Sequence, residues 1–140
     1  MHPTDRSTPA LRWLLPALAW AAGVLGMVAA WLAVSLALRS PAGWLALVAA
    51  ADLALMLRLA ATPPGRARAL AAVAGTTLAI TASYWIYAAS LMGLSLGLRP
   101  LDSALRMGPV LAGELLRHAT SGWDLAWALL ALPLAWRLSR

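Results

Sequence analysis

The run Trp13–Leu38, WLLPALAWAAGVLGMVAAWLAVSLAL, contains 26 residues and no charge. A helix needs roughly 20 predominantly apolar residues to cross the hydrocarbon of a bilayer, so this run is long enough to span. Arg6 and Arg12 precede it as the basic part of a secretory signal would, and Val28-Ala29-Ala30 resembles a cleavage pattern. The apolar core of a signal is only about 7–15 residues, however, and the length argues for a retained helix.

Further apolar segments follow, each bounded by turn chemistry. Arg39-Ser40-Pro41-Ala42-Gly43 marks a tight turn, with Pro41 suited to the first turn of a second helix over residues 42–61. Thr62-Pro63-Pro64-Gly65 ends that helix, because proline lacks a backbone donor and clashes with the preceding turn. A third helix is expected over 69–98, ended by Arg99-Pro100, and a fourth over 122–137. Ser121-Gly122-Trp123-Asp124 has the spacing of a capping box, which accounts for Asp124 at the start of that last helix. The expected fold class is an all-α integral membrane protein: one domain, 1–140, built as a four-transmembrane-helix bundle.

Composition agrees. The chain is 62% hydrophobic and 11% charged, against roughly a quarter charged in a soluble domain. All 11 basic residues are arginine, and they stand singly at the ends of apolar runs rather than in a solvated patch. That placement suits anionic headgroups and the positive-inside bias, and excludes nucleic acid as a partner. With the N-terminus inside, the cytoplasmic side receives Arg6, Arg12, Arg66, Arg68, Arg137 and Arg140, plus Arg58 snorkelling from the second helix. The other side receives Arg39, Arg99, Arg106 and Arg117. Both termini are therefore expected in the cytoplasm of a bacterial inner membrane. Trp13, Trp44, Trp123 and Trp136 lie near span ends as interfacial anchors, whereas Trp20, Trp31, Trp85 and Trp127 lie deeper and read as packing residues.

Residues 101–118, LDSALRMGPVLAGELLRH, change character. At helical spacing Leu101, Ala104, Leu105, Leu111, Ala112, Leu115 and Leu116 share one face, and Asp102, Ser103, Arg106, Glu114 and Arg117 the other. Asp102 with Arg106, and Glu114 with His118, have ion-pair spacing, and Arg117 completes an interfacial charged set. Gly108-Pro109 divides the stretch, Pro109 opening a second short helix. An amphipathic segment between two spans is expected to lie in the interface plane, as an anchor or a lid.

Asp52, about ten residues into the second helix, is the one acidic residue near the middle of an expected span. A carboxylate at the bilayer centre costs on the order of 3 kcal/mol, so it is expected to face the bundle and meet a partner. Thr76, Thr77, Thr81, Ser83, Tyr84, Tyr87, Ser90 and Ser95 cover about half the circumference of the third helix. Asp52 is expected to form an intramembrane polar site with Thr77, Thr81 and Tyr84, bonding most directly to Tyr84 or Thr81. On the first helix, Ala19, Ala22, Gly23, Gly26, Ala30 and Ala33 form a small-residue ridge that suits a neighbouring helix, a second copy of the chain or another membrane subunit.

Catalytic chemistry finds no footing. There is no cysteine, and the two histidines, His2 and His118, make neither a metal nor a haem site alone. No phosphate-binding glycine loop and no nucleophile elbow occurs, so no cofactor, metal or catalytic residue is expected. The leading expectation is a non-enzymatic accessory, assembly or structural component of the membrane. A small oligomeric transporter using Asp52 is the alternative. In layout the chain is also similar to the membrane domains that anchor periplasmic lipid-headgroup transferases, though their large soluble catalytic part has no counterpart here.

Overall fold

The computed structural model describes residues 9–140, and His2 and Arg6 lie outside the described residues. Within them the chain forms six helices: α1 (Pro9–Leu38), α2 (Leu45–Leu59), α3 (Arg66–Leu96), α4 (Pro100–Arg106), α5 (Pro109–Ala119) and α6 (Gly122–Ser139). No strand occurs among the described residues. Helices α1 and α3 are long and apolar enough to cross a membrane. Helix α2 has 15 residues and α6 has 18, both shorter than the roughly 20 residues of a standard span.

Helices α1, α2, α3 and α6 pack as an antiparallel bundle, with α4 and α5 folded over the end of α3. The core is built mainly from small side chains. Ala46, Ala49, Ala50, Ala72, Ala79, Ala131 and Ala135 are buried, and around them Leu53, Leu57 and Trp31 fill the remaining volume. Alanine on facing helices lets backbones approach closely, which is how lipid-embedded helices gain van der Waals contact.

The helix ends explain the boundaries that differ from the sequence reading. Helix α1 ends with Ser40 N–H donating to Ser35 O at 3.1 Å, and Arg39 adopts φ 51°. Helix α2 ends likewise, with Thr62 N–H donating to Leu57 O at 3.2 Å and Ala61 at φ 54°. Helix α3 repeats the pattern with Leu98 N–H to Gly93 O at 2.9 Å and Gly97 at φ 68°. These are three Schellman closures, each with a left-handed residue just past the helix. Only the third carries glycine, so only that one is advertised by its sequence. A second left-handed residue, Ala42 at φ 49°, delays the start of α2 to Leu45 rather than Ala42. The break at Gly108 and the restart at Pro109 are as the sequence implies.

The amphipathic segment differs in detail. Its apolar side chains divide between two surfaces instead of sharing one. Met107 and Ala112 are buried on the end of α3 beside Ala88 and Ala89, with Ala104, Leu115 and Leu116 packed around them. Leu101, Leu105, Val110 and Leu111 point outward. The short α4 turns at Gly108, so the two helices cannot keep a common face.

Candidate functional site

The four residues expected to form an intramembrane site are not brought together. Asp52 stands half-buried on the flank of α2 toward α1, its Oδ2 3.6 Å from where a Cβ on Gly23 would be. It forms no hydrogen bond or ion pair among the described residues. Thr77 and Thr81 are exposed on the outer side of α3, donating to the carbonyls of Val73 at 2.9 Å and Thr77 at 2.8 Å. Tyr84 packs edge-on against Trp31, ring centroids 5.5 Å apart, with its Oη enclosed and unpartnered.

The expected bond from Asp52 to Tyr84 or Thr81 is therefore overturned, for two physical reasons. A threonine hydroxyl on a helix can bond its own carbonyl one turn back, so it need not face the bundle. The hydroxyls of α3 accordingly divide: Thr76, Ser83, Tyr87 and Ser90 are buried while Thr77, Thr81 and Ser95 are exposed. And the space between α2 and α3 is occupied by Leu53, whose methyl carbons lie 3.2 Å from where a Cβ on Gly75 would stand. Asp52, one residue away, is turned about 100° from that contact. The ridge on α1 divides in the same way, Gly23 meeting α2 while Ala22, Gly26, Ala30 and Ala33 face outward.

The interfacial charges also rearrange. Glu114 and Arg117 form an exposed pair at 3.7 Å, the only ion pair among the described residues. Asp102 and Arg106 do not pair, and His118 Nδ1 lies 2.8 Å from the backbone carbonyl of Glu114 rather than its carboxylate. An exposed pair of this kind contributes at most about 1 kcal/mol.

What the sequence did not disclose is a polar knot at each end of the bundle. At one end Asp124 does more than cap α6. Its Oδ2 accepts from Ser121 N–H at 2.9 Å and from the Ser121 hydroxyl at 2.8 Å, while Oδ1 accepts from Gly43 N–H at 2.9 Å. The α1–α2 turn is thereby tied to the start of α6. Beneath it the Pro41 carbonyl accepts from Trp31 Nε1 at 2.8 Å and Ser35 Oγ at 3.1 Å.

At the opposite end two arginines hold the last carbonyls of α6. Arg68, buried at 8% exposure, donates from Nε to Ser139 O at 2.6 Å and from Nη2 to Arg140 O at 3.1 Å. Its Nη1 donates to Thr62 O at 3.1 Å, and Arg58 donates to Leu138 O. Cations are favoured there because a helix C-terminus carries partial negative charge and unbonded carbonyls. Arg58 is thus a cap and not a free snorkelling cation. A sequence signal for Arg68 did exist: it begins the same face as Ala72, Thr76, Ala79 and Ser83, all of them buried.

Convergent chemistry is found at one place, a cleft of about 470 Å³ between α3, α5 and the start of α6. Ile80, Leu125 and Ala128 form its apolar wall, Tyr84 and Trp85 its aromatic wall, and Thr120, Ser121, Asp124 and Arg117 its polar rim. A second cleft of about 440 Å³ at the arginine-bearing end is lined by Trp13, Trp20, Leu57 and Arg68. Asp52 lines neither. Among the described residues no three histidine, aspartate or glutamate side chains converge as a metal site. In comparisons with protein families, curated proteins and solved structures, nothing matches this chain.

Proposed function

We propose that this chain is a four-span protein of the bacterial inner membrane, both termini cytoplasmic, acting as a non-enzymatic accessory or structural component. One observation carries the reading: every bundle helix turns large aliphatic side chains outward. Leu14, Leu18 and Leu25 do so on α1, Val48, Leu55 and Leu59 on α2, Leu70, Leu78 and Leu91 on α3, and Leu125, Leu129 and Leu130 on α6. A water-solvated bundle would carry charged residues on those faces. The short helices α2 and α6 share this property with the long ones, which supports crossing by all four. Local thinning of the bilayer accommodates the shorter pair.

The accessory role is supported by how the polar side chains are used. Trp20 Nε1 donates to Ala71 O at 2.8 Å and Trp85 Nε1 to Ala104 O at 3.2 Å, each tying two helices together. Arg58, Arg68, Trp31 and Asp124 do the same for helix ends and turns. Of the hydroxyls on α3, those of Thr76, Thr77, Thr81, Ser90 and Ser95 are bonded to that helix's own backbone.

Proton flux distinguishes this reading from transport through Asp52. Purified protein in liposomes loaded with a pH-sensitive dye should leak protons no faster than protein-free vesicles under an imposed gradient. Asp52→Asn should change nothing, because a carboxyl that lines neither cleft and has no bonded partner lacks a group to pass a proton to. A leak that is present in wild type and abolished by Asp52→Asn would overturn the accessory role in favour of transport.

A further inference from the structure

The cleft between α3, α5 and the start of α6 joins three chemical surfaces that rarely meet in a purely structural joint. Its wall is aliphatic, with Ile80, Leu125 and Ala128; Leu125 is itself exposed, so the wall continues to the outside of the bundle. Its rim carries one guanidinium, Arg117, and one carboxylate, Asp124. Tyr84 and Trp85 also line it. A volume of about 470 Å³ is within the range of small-ligand sites.

Neither charge is fully used. Arg117 pairs with Glu114 at 3.7 Å, a long contact that leaves most of the five guanidinium donors free. Asp124 accepts three hydrogen bonds from uncharged donors and has no cation within ion-pair distance among the described residues. A carboxylate has about four acceptor sites, so one remains along with the full negative charge.

We propose that this cleft binds one aminophospholipid, with its phosphate on Arg117, its ammonium group toward Asp124 and the Tyr84–Trp85 rings, and an acyl chain along Ile80 and Leu125. The match lies in the presence of one cation and one anion at the same cleft. A guanidinium takes a phosphate in charge-assisted bonds, and a carboxylate beside aromatic faces takes an ammonium. An anionic lipid would leave Asp124 facing like charge, and a soluble anion would leave the apolar wall wet. The end of α5 then serves as one side of a lipid site as well as a cover for α3. The proposal rests on the four-span reading, which puts this end of the bundle at headgroup depth.

Native mass spectrometry on detergent-purified protein tests it, with phosphatidylethanolamine, phosphatidylglycerol and phosphatidic acid added separately after delipidation. Wild type should retain one phosphatidylethanolamine at activation energies that strip the other two. Arg117→Gln should lower that occupancy about tenfold, the scale of one charge-assisted hydrogen bond. Thr81 also lines the cleft and is exposed, so Thr81→Trp fills it and should do the same, while Arg99→Gln, on the same side but outside the cleft, should not. Both test positions are exposed, so folding is preserved and an unchanged thermal transition verifies it. Equal retention in all variants would mean annular lipid only and would overturn the site. Preferential retention of an anionic lipid would overturn it too. Failure of the four-span reading itself is seen separately, in the sidedness of single cysteines placed at Pro64 and Gly113.

Discussion

Gly43 is held so close to Asp124 that a Cβ on it would stand 2.6 Å from the Asp124 Cα. The backbone of the α1–α2 turn and that of the α6 start touch there with no room for a side chain. Gly43→Ala should therefore lower stability by roughly 1–3 kcal/mol, the usual range for overpacking. Gly113→Ala, where nothing lies within 4 Å, should be neutral or slightly stabilising. Thermal unfolding in detergent micelles compares the two directly. At the other end, Arg68→Gln removes a buried guanidinium bonded to three carbonyls. The expected loss is about 3 kcal/mol, since each bond to a charged group contributes about 1.5–3 and the three are not additive. Exposed Arg66→Gln should leave the transition unmoved. The Ser121–Asp124 box was legible because both partners lie three residues apart. The bonds of Asp124 to Gly43 and of Arg68 to Ser139 were not, because they join positions 81 and 71 residues apart. Asp52 was misjudged for the opposite reason. The cost of burying a carboxylate was visible in the sequence, but the width of the interface that Leu53 occupies was not.

Among the elements, the long apolar runs were legible to within a few residues: α1 ends at Leu38 as expected, whereas α2 stops two residues early before a left-handed Ala61 and α3 two residues early before Gly97. Arg39 and Ala61 take left-handed conformations that sequence alone assigns to glycine or asparagine. The amphipathic connector was legible as helical and as broken at Gly108-Pro109. Its division into packed and outward leucines follows from how α4 and α5 settle on α3, which no single-helix projection contains. That division gives a sharper expectation. Spin labels at Leu105 and Val110, both about 80% exposed, should collide with a lipid-soluble relaxant. Labels at Arg106 and Arg117 should collide with a water-soluble one. Equal water accessibility at all four positions would contradict an interfacial hairpin.

At the scale of the whole molecule, the bundle is consistent from one end to the other. Helices α1 and α3 run one way, α2 and α6 the other, and each polar knot ties together the turn and the helix end that this order places side by side. Composition and run lengths made legible the all-helical fold and the two helices, α1 and α3, that are long and apolar enough to cross a membrane. The number of crossings was inferred from turn signals, and α2 and α6 are the elements on which it depends. Two arrangements differ cleanly in sidedness. If all four helices cross, the α1–α2 turn and the α4–α5 hairpin share one side and the α2–α3 loop lies on the other. If only α1 and α3 cross, the first turn and the α2–α3 loop share a side and the hairpin lies opposite. The chain has no cysteine, so single cysteines at Ser40, Pro64 and Gly113, all exposed, report without background. In intact spheroplasts a membrane-impermeant thiol reagent should label the Ser40→Cys and Gly113→Cys variants at once, and the Pro64→Cys variant only after permeabilisation. Immediate labelling of Pro64→Cys together with Ser40→Cys, with Gly113→Cys protected, would contradict the four-span bundle.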